Sequence, residues 1–259
     1  MIFYFKYPII DRVKHVVSFS GGKDSAAMLI RMIEEGMPID DIVFIKVMAT
    51  KTIGAELPEM YEYIEKMEDY IHRKITIVPS ILNFDEVFHK QHISGDKIGQ
   101  IYGFPVLIGS WCNSRLKIKT IQHHQKQYGK HIQYLGIAAD EPERLARLKP
   151  HCRAPLADWG MTENDCMSFL KERDMLNPLY KNHRRLGCWF CIKQNLDSLR
   201  YLRHNYPEYW NMMLQWDLES PHTFKPEWTV HELDRRFAGE DCQLKLFDDN
   251  DYINLLKAA

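Results

Sequence analysis

The stretch that most constrains the fold is a short apolar run followed by a glycine turn, HVVSFSGGKDSAAM at residues 15–28. The apolar run predicts a buried strand at 16–19, and periodic apolar residues predict a helix at 26–35. A strand, a glycine turn and a helix in this order point free backbone N–H groups at an anion. Adjacent glycines let oxygen atoms approach the backbone, because no Cβ stands in the way. We therefore expect a phosphate-like group in this turn.

The polar side chains of the turn strengthen that expectation. Lys23 adds a positive charge, and the hydroxyls of Ser18, Ser20 and Ser25 add hydrogen-bond donors. The spacing differs from both the GxxxxGK[ST] and the GxGxxG phosphate motifs. The segment SGGKDS therefore predicts an anion site of a different type.

The composition bounds the class of protein. The chain has 259 residues, 45% of them apolar and 27% charged, and a formal net charge of −1. The length suits one large α/β domain, or one domain with an appendage. A net charge this close to zero gives no reason to expect that the whole surface binds nucleic acid. No apolar run reaches the ~20 residues of a membrane span, and we interpret the apolar segment 1–10 as a first strand rather than a signal peptide. We predict a cytoplasmic protein that does not associate with membranes.

Strand-like and helix-like segments alternate along the rest of the chain. Strands are predicted at 42–48, 75–78 and 132–137, and helices at 58–71, 84–91, 113–128 and 162–173. This alternation predicts a parallel sheet covered on both faces, with ligands at the carboxyl ends of its strands. After Gly187 the composition becomes aromatic and helical, and we interpret the stripe within 196–218 as core. We predict domains at 1–187 and 188–259.

A Cys-x-x-Cys turn is the second informative feature. Cys188 and Cys191 can share one metal ion, and the basic segment 181–185 before them favours thiolates. Further ligands would come from Cys112 and Cys152, which also lie in basic segments. All-thiolate ligation suits zinc or an iron–sulfur cluster, while a redox pair or unligated thiols are the alternatives. We interpret Cys166 as a buried structural thiol.

Several segments together resemble the phosphoadenosine phosphosulfate (PAPS) reductase family of the PP-loop adenine nucleotide α-hydrolase superfamily. They are SFSGGKDS at 18–25, LPEMYEYI at 57–64, CNSRLK at 112–117, GIAADEPER at 136–144, PLADWGMTENDCMSFL at 155–170 and NPLYKNHRRLGCWFCIK at 177–193. They follow one another in family order from about residue 15 to residue 195. The resemblance implies a Rossmann-like (HUP-type) parallel α/β sheet with helices on both faces, followed by a mainly helical C-terminal region.

The resemblance also assigns residues to the site. It implies that an adenine nucleotide, ATP or PAPS, is held by Ser18, Ser20, Gly21, Gly22, Lys23, Asp24 and Ser25. It implies catalytic roles for Lys23, Asp24, Arg144, Cys188 and Cys191, and favours a [4Fe–4S] cluster over zinc. Trp159 would be structural.

Two departures from the family pattern bear on the reaction. Trp111 stands where iron–sulfur reductases have the first of two adjacent cysteines, so that only Cys112 remains. The segment around Cys242, EDCQL, resembles the catalytic tail of the reductases only weakly. The acidic neighbours of Cys242 would raise its thiol pKa. We therefore predict that Cys242 is not a nucleophile.

Three functions compete at this point. The first is sulfonucleotide reduction, in which a thiolate attacks the sulfur of bound PAPS. The second is adenylylation by ATP with Mg²⁺, followed by sulfur transfer to tRNA or DNA. The third is a non-catalytic nucleotide-binding subunit of a nucleic-acid or defence complex, for which the basic segment 115–130 could contact phosphates. A homo-oligomer or a complex with another protein fits each of them.

Overall fold

The computed structural model describes residues 13–107 and 110–248, so the strand predicted at 1–10 lies outside the described residues. The chain divides into two compact units. The first takes its described residues from 1–84 and 112–188, and the second from 85–111 and 189–259. The division after Cys188 lies one residue from the predicted boundary. The sequence did not indicate that the segment 85–111 groups with the C-terminal unit.

A five-stranded sheet forms the centre of the first unit. Its strands are β1 (Lys14–Phe19), β2 (Asp41–Met48), β3 (Thr76–Asn83), β4 (His131–Leu135) and β5 (Cys152–Arg153). Their order is β3-β2-β1-β4-β5, and every pairing is parallel. The central position of β1 explains its apolar run, since Val16 and Val17 are completely buried. The predicted Rossmann-like α/β fold is confirmed.

Helices pack around this sheet and make up most of the second unit. In chain order they are α1 (Lys23–Glu34), α2 (Pro58–Ile71), α3 (Phe84–Phe88), α4 (Lys119–Gln125), α5 (Pro142–Leu145), α6 (Pro155–Asp158), α7 (Glu163–Glu172), α8 (Leu196–Asn205), α9 (Pro207–Glu219) and α10 (Val230–Asp248). α2 has the bounds that its apolar periodicity predicts, with Pro58 in its first turn. Thr162 caps α7 through a reciprocal capping box with Asp165. None of the described helices is long and apolar enough to cross a membrane.

Some elements differ from the predictions. The helix predicted at 113–128 is a π-helix (Asn113–Ile118), followed by α4 and a short 3₁₀ turn. α1 begins at Lys23, three residues before the predicted start, so the last residues of SGGKDS lie in its first turn. The helical stretch 196–218 is two helices, because Pro207 lacks the N–H that would continue α8. The two-residue strand β5 was not predicted.

Aromatic side chains form the core of the second unit. Trp189 stacks on Tyr209 with ring centroids 4.8 Å apart, and on Trp216 with centroids 5.6 Å apart. Trp210 and Met213 on α9 are also buried. The interpretation of this stripe as core packing is confirmed.

Candidate functional site

The glycine turn has the shape that an anion site needs. Gly21 has a φ of +72°, and a Cβ there would lie 2.2 Å from Sδ of Met60. Gly22 has an extended backbone, and a Cβ there would come no closer than 3.5 Å to Oγ of Ser20. Gly21 is therefore required by the fold itself. The fold would tolerate a side chain at Gly22. The absence of one there keeps the backbone N–H groups at the start of α1 accessible to a ligand.

Two serine hydroxyls hold the turn in place. Oγ of Ser25 accepts a hydrogen bond from the Ser20 N–H at 3.1 Å and donates one to the Gly22 carbonyl at 3.0 Å. Oγ of Ser20 lies 3.0 Å from Oγ of Ser25. Ser25 is buried, so these bonds fix the backbone around the site.

The NPLY segment supports the turn from behind, a role that the sequence did not reveal. Nδ2 of Asn177 donates to the Gly21 carbonyl at 3.0 Å, and its Oδ1 accepts from the Leu179 N–H at 3.0 Å. The hydroxyl of Tyr180 accepts from the Lys23 N–H at 3.0 Å. In the sequence these residues stand out only as part of the family-like segment 177–193, because no local pattern indicates a contact across more than 150 residues.

Lys23 lies among carboxylates. Its Nζ is 3.0 Å from Asp24 and 3.2 Å from Glu163. Burial alone would lower the pKa of Lys23, but the two carboxylates raise it above its ordinary value. Burial raises the pKa of Asp24, and the nearby Lys23 charge offsets this only in part. The ammonium therefore stays charged at neutral pH.

A third carboxylate completes an acidic group beside Lys23. One oxygen each of Asp24, Glu141 and Glu163 lies within 4.8 Å of the others. Glu141 is held by the Ala138 N–H. Oδ1 of Asp24 is buried and accepts no hydrogen bond from the described part of the chain, although Nζ of Lys23 is close. Oxygen ligands so arranged suit a hard divalent cation such as Mg²⁺. The sequence did not single out either glutamate.

These groups line a cleft of about 660 Å³ in the first unit, a volume typical of small-ligand sites. Ser18, Ser20, Gly22, Lys23, Asp24 and Ser25 all lie on it, together with Arg144, Arg184 and Arg185. Other parts of the wall are apolar and come from Phe44, Met60 and Ile121. The cleft thus has both a charged lining and an apolar one, as a nucleotide requires.

Glu56 is a further carboxylate on this cleft that sequence reasoning missed. It follows β2 and is 7% exposed. Burial raises its pKa to about 7, while Lys117, Tyr61 and backbone N–H groups partly oppose the shift. Oε2 accepts a hydrogen bond from the Tyr61 hydroxyl at 3.3 Å. Only the three-dimensional structure shows that this residue is buried.

The cysteines occupy varied surroundings. Cys112 is half-buried at the start of the π-helix, and Cys152 is buried in β5 with Sγ 3.8 Å from Oε1 of Gln133. Burial raises the pKa of the Cys152 thiol and raises that of Cys166 to about 12. Cys188 and Cys191 are half-buried, the first ending one unit and the second belonging to the other. No cysteine takes part in the acidic group, and the thiolate ligand set stays a prediction.

Comparison with known proteins gives matches over most of the chain. A model of the family described as the phosphoadenosine phosphosulfate reductase domain matches residues 14–194. The chain is 26% identical over 207 residues to an uncharacterized nin region protein of Escherichia phage lambda, covering 71% of this chain and 68% of that protein. It is 24% identical over 208 residues to an uncharacterized protein of Methanocaldococcus jannaschii, covering 75% of this chain and 39% of that protein. The chain thus spans well under half of the second relative.

Two solved structures have a distant likeness to the chain, each at 14% sequence identity. One is PAPS reductase from Candida auris in a phosphate complex, with a TM-score of 0.43 over 70% of this chain and 84% of that chain. The other is the U34-tRNA thiolase from Methanococcus maripaludis with its [4Fe-4S] cluster, with a TM-score of 0.44 over 80% of this chain and 71% of that chain.

Proposed function

Because the chain belongs to the phosphoadenosine phosphosulfate reductase domain family, we propose that its cleft binds an adenine nucleotide, and that this nucleotide is ATP with Mg²⁺. The reaction we infer is adenylylation of an acceptor oxygen with release of pyrophosphate, followed by sulfur transfer. The acceptor class that we propose is tRNA or DNA.

The acidic group beside Lys23 is the observation that carries this choice. Three carboxylates next to a turn that binds anions would repel a polyphosphate unless a cation lay between them. Lys23, beside Asp24 and Glu163, and Arg144, which is ion-paired with Glu141, can together neutralise only two of the three charges, and both cations are also placed to contact a phosphate. The buried Oδ1 of Asp24 and the neighbouring carboxylate oxygens fit Mg²⁺. When bound, Mg²⁺ would neutralise the triphosphate and polarise its phosphoryl oxygens.

The chain's own residues have clear roles in such a reaction. The N–H groups at the start of α1 and the Lys23 ammonium would bind phosphate oxygens. The acceptor oxygen would form a bond to the α-phosphorus while the bond from that phosphorus to the bridging oxygen of pyrophosphate breaks. Arg144 lies on the same cleft and would stabilise charge on the departing pyrophosphate. A persulfide donor would load a terminal sulfur onto Cys188, and this sulfur would bond to the adenylylated carbon of the acceptor while the bond from that carbon to the AMP oxygen breaks. The Cys191 thiolate would then attack Sγ of Cys188, which releases the thiolated acceptor and leaves a disulfide for a thiol reductant to reopen.

A matched pair of glutamate variants tests this proposal. Glu141→Gln removes one charge from the acidic group, whereas Glu143→Gln removes an exposed charge from the same helix segment. We expect the wild-type protein to bind ATP more tightly with Mg²⁺ than with EDTA. In E141Q, the factor by which Mg²⁺ increases the affinity for ATP should be about tenfold smaller. E143Q should leave it unchanged. ATP binding that does not respond to Mg²⁺, or equal behaviour of the two variants, would contradict the proposal.

PAPS reduction is the second candidate, favoured by the three arginines on the cleft, which could hold a sulfate and a second phosphate. The surroundings of Cys242 argue against it. That residue lies within α10, and its neighbour Asp241 is paired with Arg203 at 2.7 Å, whereas a reductase tail must move to reach the nucleotide. Sulfite release from PAPS without metal, and its loss in Cys242→Ser, would establish reduction instead.

A further inference from the structure

The cleft has both charged and apolar lining residues, and each kind suits one end of a bound nucleotide. The phosphate groups belong at the glycine turn, where α1 begins and Lys23 stands. Met60 packs against Gly21 of the turn, so the apolar lining residues left for the base are Phe44 and Ile121 on α4. A nucleobase has apolar faces and a polar edge, so the base belongs against these side chains. This step rests on the proposed function, in which the ligand is an adenine nucleotide.

Glu56 lies on this same cleft and brings a carboxyl group to it. Its side chain is held from the protein side by the Tyr61 hydroxyl and by hydrogen bonds from the backbone N–H groups of Val47 and Glu56. These bonds fix its position, as a residue that reads a ligand requires. Carboxylate oxygens accept more than one hydrogen bond each, so Glu56 can accept a further one from a ligand.

We propose that Glu56 is the specificity-determining residue of the cleft, and that its carboxyl group accepts a hydrogen bond from the exocyclic amino group of adenine. Above pH 7, where the carboxyl group of Glu56 is ionised, a base with a carbonyl at that position, as in inosine, would place two acceptors face to face. An amino group gives the ionised carboxyl a further donor, whereas a carbonyl oxygen repels it, so the site would reject inosine nucleotides. The raised pKa of Glu56 agrees with a group that is largely removed from water.

Glu56→Gln is the variant that separates this role from a structural one. The amide keeps the size of the side chain and one oxygen acceptor, but its NH₂ group can donate to the carbonyl of inosine. We expect wild-type protein to bind ATP more tightly than inosine triphosphate by about tenfold. E56Q should bring the two affinities to within about twofold, mainly through tighter binding of inosine triphosphate.

Controls make each outcome decisive. Glu62→Gln changes an exposed carboxylate on α2 and should keep the wild-type preference for ATP. Tyr61→Phe keeps the carboxyl group and should keep the direction of the preference as well, even if α2 is loosened. E56Q that folds, binds ATP and retains the full preference would overturn the inference while leaving the proposed function intact. Wild-type protein that binds neither nucleotide would overturn both.

Discussion

Asn177 is predicted to hold the nucleotide turn in shape from a distant part of the chain. It is 1% exposed and joins Gly21 to Leu179 through two hydrogen bonds of 3.0 Å. Asn177→Ala removes both bonds and leaves a buried carbonyl and a buried N–H without their partner. Each such loss costs about 1–3 kcal/mol, so we expect a destabilisation of about 2–4 kcal/mol. The free energy of unfolding of a natural domain is only about 5–15 kcal/mol in total, so this destabilisation is large.

Asn177→Asp tests the same reasoning without removing any atoms. The carboxylate can still accept from the Leu179 N–H, but it places a charged oxygen where Nδ2 donates to the Gly21 carbonyl. Two acceptors then face each other in a buried place, so N177D should be at least as destabilised as N177A at neutral pH. Protonation restores a donor, and the defect should therefore diminish in mild acid.

The assay must report on each unit separately. Hydrogen–deuterium exchange of the peptide covering 16–28 measures opening of the turn, and nucleotide affinity measures its function. Asn195→Ala is the matched control, because Asn195 caps α8 in the second unit through one bond to the Ser198 N–H. It should cost about 1 kcal/mol and leave the 16–28 peptide protected. Unchanged exchange of that peptide in N177A would refute the assigned role.

Three further predictions follow from side chains outside the cleft. Thr162→Ala should cost α7 about 1 kcal/mol in chemical denaturation, while Thr162→Ser should restore it, because either hydroxyl completes the cap. Hydrogen bonds from Arg200 and a second arginine lower the pKa of Glu240 to about 2. The stability they contribute is therefore present above pH 4.5 and is lost as the pH falls toward 2, and Glu240→Gln should flatten an acid titration of unfolding in that range. At pH 8 a disulfide reagent should modify exposed Cys242 quickly and leave Cys166 intact until unfolding, since burial raises the pKa of the Cys166 thiol to about 12.

The parts of the fold that could be predicted are those whose signal is local and periodic. α2 has the predicted bounds because its apolar residues recur at helical spacing and a proline begins it. β1 was predicted because its apolar residues Val16, Val17 and Phe19 stand close together, and all three are buried in the sheet. β5 has only two residues and pairs with β4 at the edge of the sheet, so no local sequence pattern predicts it. The π-helix also escaped prediction, because a wider hydrogen-bond spacing leaves no trace in apolar periodicity.

The candidate site divides in the same way. The glycine turn was predicted because its residue types are dictated by the backbone, and Gly21 does adopt the left-handed conformation that favours glycine. The supports of the turn, Asn177 and Tyr180, lie in the segment 177–193, and no sequence pattern connects that segment with the glycine turn. Glu141 and Glu163 were passed over because exposed acidic residues are common along any soluble chain. They become important because they lie beside Asp24 in the folded protein. The three carboxylates come from separate parts of the chain and meet only when it folds.

Cys242 lies within a regular helix, α10. Gly239, Glu240 and Asp241 precede it and lie in the body of α10. Glu240 binds Arg200, and Asp241 binds Arg203, so both acidic side chains tie α10 to α8 instead of extending it into solvent. A nucleophile must travel between the nucleotide and its reductant, and a cysteine directly after two ion-paired residues of a helix can do so only if those pairs break. The same acidic residues that argued against a reactive thiol from the sequence thus also argue, through their partners, against a mobile one.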